Sequence, residues 1–361
     1  MRVLELIGEP YAMGQQHGEQ VVGLRSEVVA VIQRRLASLD GRLEAVAQEV
    51  EAIRSVWEKA ASPTLEMMRG MEDVLGLGWE RYLRYTLAGY LEGRLGGVAE
   101  GEGCTVWAAA GAATSNGATI LAKNRDYHSD HHPLQCFVRA RPSQGHRYGY
   151  VTSAGSPGVF SSGMNEAGLA VADTHVPTSR VGPGVARYSA MMDLLERYDD
   201  VPSALNYLGG LTHIGDGTLV LADTSGRMAI FEGGDGVSGV IRPNEGFVVS
   251  TNHFETEALR RHWVDRNPPS QRGHSQMRQA RVRAALQSAD GQVDGIWAQG
   301  LMAEHAGDAS TVCRHPQAET GTPTISTAIY LPAEGRVVVA DGQPCRSPFK
   351  SIDLFRPVSW R

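Results

Sequence analysis

The hydrophobic period of this chain changes once, and that change constrains the fold more than any single motif. From about residue 15 to 97 the apolar residues recur at helical spacing, as in Val46, Val50, Ile53 and Trp57, with Arg and Glu on the intervening faces. The segment reads as several packed helices. Ser62 followed by Pro63 marks one helix start, because proline in a first turn forfeits no hydrogen bond. The glycine-rich stretch LGGVAEGEG at 95–103 then ends helical order. Beyond it the period is two. GATILAKN, QCFVRAR, GLAVADTHV, GTLVLADTSGRMAIFEGG, GFVVSTN and TISTAIYLPAEGRVVVADG read as short strands broken at Asn116-Gly117, Ser225-Gly226 and Glu334-Gly335. Helical spacing returns only in YSAMMDLLERY and SQMRQARVRAALQSA. Sheets with an apolar face need cover, so the pattern predicts an α+β molecule: two antiparallel sheets with helices on their outer faces, preceded by a helical N-terminal segment.

Composition narrows the function. A formal charge of -6 over 361 residues, with no dense Lys/Arg run, leaves no footprint for nucleic acid or an anionic membrane. No apolar run approaches about 18 residues, and MRVLELIGEP lacks the basic-then-apolar pattern of an export signal. The expectation is a cytoplasmic protein acting on a small molecule, with no cofactor. Cys104, Cys136, Cys313 and Cys345 lie far apart in sequence without a CxxC pair, which predicts free thiols and no metal site. His128, Asp130, His131 and His132 precede Pro133 and read as loop or pocket residues rather than metal ligands.

Cys104 sits where the period changes. A lone cysteine at a strand start is ordinarily a small buried hydrophobe. As a nucleophile it must become a thiolate, which requires a base, and no Cys-His signature of the papain or caspase type is present. Another solution makes the cysteine the first residue of a new chain and uses its own α-amine, with a pKa of about 7.7–8.0, as the base. The Gly103–Cys104 bond suits such a cut, since Gly103 has no Cβ to obstruct attack on its carbonyl. An N-to-S acyl shift and hydrolysis would free Cys104.

These residues carry a resemblance. GCT with SNGATILAKNRDY, together with GEPYAMGQQHGEQ, GMNEAGLAVADTHV, VVSTNHF and TISTAIYLPAEGRVVVADGQP in this order, resembles the acyl-coenzyme A:6-aminopenicillanic acid acyltransferase-like family of N-terminal-nucleophile (Ntn) hydrolases. The resemblance implies an αββα sandwich cut by its own chemistry into two fragments that stay associated, here 1–103 and 104–361. It implies a substrate that is a small amide or acyl donor; association of copies of the chain stays open. It further implies Cys104 as nucleophile, Asp126 as the acid that orients the α-amine, and Asn252 as the oxyanion-hole amide. His175, ten residues after Asn165, aligns where related cholylglycine-hydrolase-like enzymes often carry Asn, so its backbone N–H is the implied second donor.

Two departures stand out. Many relatives carry Trp before the acid, where this chain has Arg125 preceded by Asn124; Arg125 suits either a substrate carboxylate or a structural ion pair. The penicillin-forming member carries a Ser-Arg pair just before the late strand, where this chain reads ETGTPT. Two other functions compete. One is a cysteine peptidase with His175 or His253 as base, needing no cut. The other is an uncut, non-catalytic binding protein.

Overall fold

The computed structural model describes residues 1–39, 47–60, 62–95, 103–215, 217–243, 245–265, 273–307, 310–315 and 322–355. Most of the glycine-rich stretch, 96–102, therefore lies outside the described residues. Among the described residues the front segment holds five α-helices: α1 (Pro10–Val21), α2 (Arg25–Ala37), α3 (Ala47–Lys59), α4 (Pro63–Leu75) and α5 (Trp79–Leu95). In α3 the stripe of Val50, Ile53 and Trp57 is buried, while Val46 lies outside the described residues. Ser62 caps α4 by position, but its side chain makes no capping bond; Pro63, with φ preset for a first turn, opens the helix.

One strand precedes these helices. β1 (Arg2–Gly8) pairs in parallel with β4 (Gln135–Pro142). It lies ahead of the helical spacing that begins near residue 15 and adds one parallel pair to sheets whose other described pairings are antiparallel. The alternation is present in RVLELIG, where Leu4 and Leu6 are buried and Val3 and Ile7 are exposed, but one short run beside long helical spacing carries little weight.

The remaining strands are β2 (Gly103–Gly111), β3 (Gly117–Asp126), β5 (Tyr148–Ser153), β6 (Ser162–Asn165), β7 (Ala170–His175), β8 (Gly217–Ala222), β9 (Met228–Gly234), β10 (Val237–Ile241), β11 (Phe247–Ser250), β12 (Thr324–Leu331), β13 (Arg336–Asp341) and β14 (Phe349–Asp353). One sheet runs β1-β4-β5-β6-β7-β8-β9-β10 and the other β11-β2-β3-β12-β13-β14. The β2–β3 hairpin turns at Gly117, whose φ of 75° is the left-handed value such a turn requires.

Period two sorts each strand into faces. On β2, Val106, Ala108 and Ala110 meet Phe137, Val151 and Met164 of the other sheet. Trp107 and Ala109 point the opposite way, onto Val282, Leu286 and Met302 of α9 (His274–Ser288) and α10 (Gly295–Met302). The far face of the eight-stranded sheet, with Val138, Tyr150 and Leu219, packs under Trp57, Met68 and Tyr82, and under Leu195 of α6 (Arg187–Arg197). The result is four layers, helix-sheet-sheet-helix. Among the described residues no helix is long and apolar enough to cross a membrane.

Register then gathers one end of the smaller sheet. Gly103 at the start of β2 faces Asp126 at the end of β3, and Asp126 faces Thr324 at the start of β12. Ser250 ends β11 opposite Val106, so residues 251–253 run past Cys104.

Candidate active site

Cys104 shares a face of β2 with Val106 and Ala108, so its side chain enters the space between the sheets. It is 9% exposed. Burial pushes the thiol above its ordinary range, the Asp173 and Asp126 carboxylates add to that, and Lys123 with the Asp126 backbone N–H pulls the other way. A thiol so placed is neutral near pH 7 and needs a base to react. The His253 ring meets the Ser275 hydroxyl at 2.8 Å and the Thr251 hydroxyl at 3.2 Å.

The Cys104 backbone nitrogen is held by a side chain. It donates to Asn252 Oδ1 at 2.9 Å, and Asn252 Nδ2 donates to the His175 carbonyl at 2.8 Å. The backbone N–H of Asn252 is fixed on Ser275 Oγ at 2.7 Å. His175 thus meets Asn252 through its carbonyl, at the end of β7 in the opposite sheet.

Asp126 occupies the other face of β3. It is 1% exposed, and Thr324 Oγ1 donates to its Oδ1 at 2.6 Å. Burial raises its pKa above the usual carboxylate value, opposed by the Arg314 and Arg278 cations and by the Thr324 bond. Its Oδ2 accepts no hydrogen bond and stands 2.8 Å from where a Cβ on Gly103 would lie; the Arg314 guanidinium is closer still. Only glycine fits at 103 with these two groups in place.

Sequence reasoning missed Arg278. This guanidinium is 3% exposed, and its Nη2 reaches Asn252 Oδ1 at 2.5 Å and the Cys104 carbonyl at 3.4 Å. Burial pushes its pKa down to about 10, with Arg314 adding to the effect and Asp126 and Cys104 opposing it, so it remains a cation at neutral pH. A signal existed: Arg278, Val282 and Leu286 are spaced i, i+4, i+8, which places a charge in the buried stripe of α9. Arg314 was also missed, since attention fell on ETGTPT, of which 319–321 lie outside the described residues.

The other candidates are held by contacts of their own, with Arg125 the cross-strand partner of Cys104. Asn124 donates to the Met302 and Val312 carbonyls at 2.8 and 3.1 Å and accepts from Thr327, fastening α10 to the sheet. Arg125 is buried, donates to Ser153 Oγ at 3.1 Å and Gln135 Oε1 at 3.4 Å, and lies 5.1 Å over the Tyr127 ring. Lys123, buried between the sheets, donates to Asp173 Oδ1 at 2.5 Å and to the Ser161 and Asp173 carbonyls. Burial alone would raise the Asp173 carboxyl, but Lys123 and Arg187 hold it below its usual value. Beyond His175 opens a cleft where the rings of Tyr85, Phe160 and Tyr188 meet the charged Arg35, Asp173 and Arg187. The histidines of the 128–132 loop disperse: His131 meets Ser153, His128 meets Arg35, and His132 faces Asp341.

Residues 112–346 match the family described as acyl-coenzyme A:6-aminopenicillanic acid acyl-transferase, well over half of the chain. The chain belongs to this family. Its members are enzymes that transfer or hydrolyse amide-linked acyl groups, and the matched stretch begins beyond Cys104. A solved variant of conjugated bile acid hydrolase from Clostridium perfringens aligns with a TM-score of 0.50 and 13% identity, over 70% of this chain and 92% of that one. Penicillin V acylase from Agrobacterium tumefaciens aligns with a TM-score of 0.44 and 17% identity, over 70% of this chain and 86% of that one. The likeness to the bile acid hydrolase is one of fold, and the two-sheet sandwich is that of the Ntn hydrolases. No curated protein matches the sequence.

Proposed function

We propose that this family member activates itself by cutting its chain before Cys104 and then acts as an N-terminal cysteine amidohydrolase or acyltransferase. The observation that carries the reading is the Cys104 backbone nitrogen bonded to Asn252 Oδ1 at 2.9 Å, directly beside the Gly103–Asp126 contact. In the cut, Sγ adds to the Gly103 carbonyl carbon, and its proton passes to the Cys104 nitrogen as the C–N bond breaks. Asp126 is the neighbouring proton carrier. Water then hydrolyses the Gly103 thioester, leaving a Gly103 carboxylate, a free thiol and a new α-amine.

The new amine keeps Asn252 Oδ1 as acceptor for one N–H, which turns its lone pair toward its own sulfur. That supplies the base a buried, neutral thiol lacks. With substrate, the amine takes the thiol proton as Sγ attacks the amide carbonyl and returns it to the departing amine. Asn252 Nδ2 carries a second N–H for the developing oxyanion. The Arg278 cation steadies Asn252 Oδ1 and so fixes the amide. Water resolving the Cys104 thioester gives hydrolysis, and an amine resolving it gives acyl transfer. The rings lining the cleft beside His175 suit an apolar or aromatic acyl group.

The test is amine release from a panel of N-acylated amines and amino acids, read together with the acid-quenched mass of the peptide that begins at Cys104. The expected result is release that depends on Cys104, with the acyl group added to that peptide. Undiminished release by Cys104→Ala would contradict the proposal. The histidine-base reading gains no support from a His253 ring bound to Ser275.

A further inference from the structure

Separately from any cut at Cys104, the fold brings together two thiols that the sequence places far apart. Cys313 and Cys345 belong to distant parts of the sequence, yet they converge with His305 and His315, and one donor atom from each lies within 4.8 Å of the others. His315 Nε2 is 3.1 Å from Cys345 Sγ and 3.7 Å from Cys313 Sγ, and the two imidazole centroids are 4.6 Å apart. We infer that Cys313, Cys345, His305 and His315 bind one zinc ion that fastens the segment carrying Arg314 to the turn after β13.

The donor set and its dimensions both fit. Tetrahedral zinc with Zn–S of about 2.3 Å and Zn–N of about 2.1 Å sets donor atoms roughly 3.4–3.8 Å apart, so modest tightening closes the site. Two thiolates and two imidazoles select zinc over magnesium or calcium, which take oxygen donors. Binding converts two thiols to thiolates and releases two protons, and the ion with its two thiolates and two neutral imidazoles carries no net charge. A packing role accounts poorly for the group, since His305 is exposed while His315 and Cys345 are only half-buried. A disulfide would use two of the four side chains. Four protein donors leave no open coordination position, which is the pattern of a structural rather than a catalytic zinc.

The site has a consequence in the fold. Arg314 lies between two of the ligands, and its backbone is clamped to Thr324 twice: its N–H donates to Thr324 Oγ1 at 2.9 Å and its carbonyl accepts the Thr324 N–H at 3.0 Å. Its guanidinium stands against Gly103 and Asp126. A metal at Cys313 and His315 therefore holds both flanks of the residue that reaches the candidate cut site.

The test is metal analysis of the purified full-length chain, with Co(II) as a spectroscopic replacement for zinc. The expected result is about one zinc per chain, and a Co(II) spectrum with intense tetrahedral d–d bands and thiolate-to-metal charge transfer. Cys345→Ser and His315→Ala should lose both signals, while Cys136→Ser, at a thiol outside the group, should keep them. A wild-type chain that takes up neither ion would overturn the inference, and its spectrum decides the matter even where a variant fails to fold. So would a Cys313–Cys345 disulfide, seen as the loss of two hydrogens, or ion binding that persists in both ligand variants.

Discussion

Cys104 and Cys313 are both buried thiols near the smaller sheet, and their neighbours give them opposite chemistry. Cys104 is set among charged groups and a side-chain amide. It has Lys123, Asp173 and Asp126 within electrostatic reach and a backbone nitrogen held by Asn252. Cys313 has soft donors around it, a second thiol and two imidazoles. One set of neighbours suits bond making at carbon, the other coordination of a metal. Burial is common to both, so burial by itself assigns neither role. Cys136 completes the series: a fully buried thiol whose sulfur meets the backbone of Leu134 and Ala154, in the core beneath the helices.

The largest expected effect separates the first thiol from the rest. Cys104→Ala should lower turnover by about 10⁶, the scale of removing a nucleophile, with the chain left whole. Steady-state kinetics that found Cys104→Ala within tenfold of wild type would erase the distinction. Next comes Asn252→Ala, expected to cost about 10²–10³ in kcat through the lost oxyanion donor, with cutting retained in part. A near-normal kcat would reduce Asn252 to a strand-end turn residue.

Asp126→Asn sharpens the electrostatic side of the comparison. Its expected loss is about 10–100-fold in kcat, the scale of a positioning partner. With the charge gone, the alkaline rise of the remaining activity should move to lower pH, because a nearby carboxylate favours the ammonium form of the amine. Stability should respond in the opposite sense. The folded-state pKa of Asp126 is raised, so the folded chain binds more protons than the unfolded one just above the ordinary carboxylate pKa, and stability falls as pH rises through that window. Thermal melts at neutral pH should therefore place Asp126→Asn no lower than wild type; a clearly lower Tm would mean that the carboxylate, rather than its burial, dominates there. The smallest effect belongs to Cys136→Ala: about 1 kcal/mol of stability lost to a small cavity, with kcat unchanged. A change in kcat there would show that the three thiols do not divide as described.

Much of the architecture was legible because it rests on local period. The buried stripe of α3, the β2–β3 hairpin at Gly117 and the helix at 274–288 all follow from spacing and turn chemistry. The change of period at Gly103–Cys104 was legible for the same reason, and β2 begins there. The missed features depend on distance through space. β1 depends on β4 for its pairing, Arg314 reaches Gly103 only after β12 folds beside β3, and Cys345 meets Cys313 across a separation no spacing rule connects. Arg278 is intermediate, since its place in the apolar stripe was visible but a charged residue in such a stripe ordinarily lies at its edge.

The central claim is that Cys104 begins a chain of its own. The direct measurement is the mass of the purified wild-type protein under denaturing conditions, beside Cys104→Ala. Wild type should give two species of about 11 and 28 kDa, the larger beginning at Cys104, and the variant one species of 38.9 kDa less the side-chain change. A fully active wild-type preparation that runs as a single 38.9 kDa polypeptide would contradict the account.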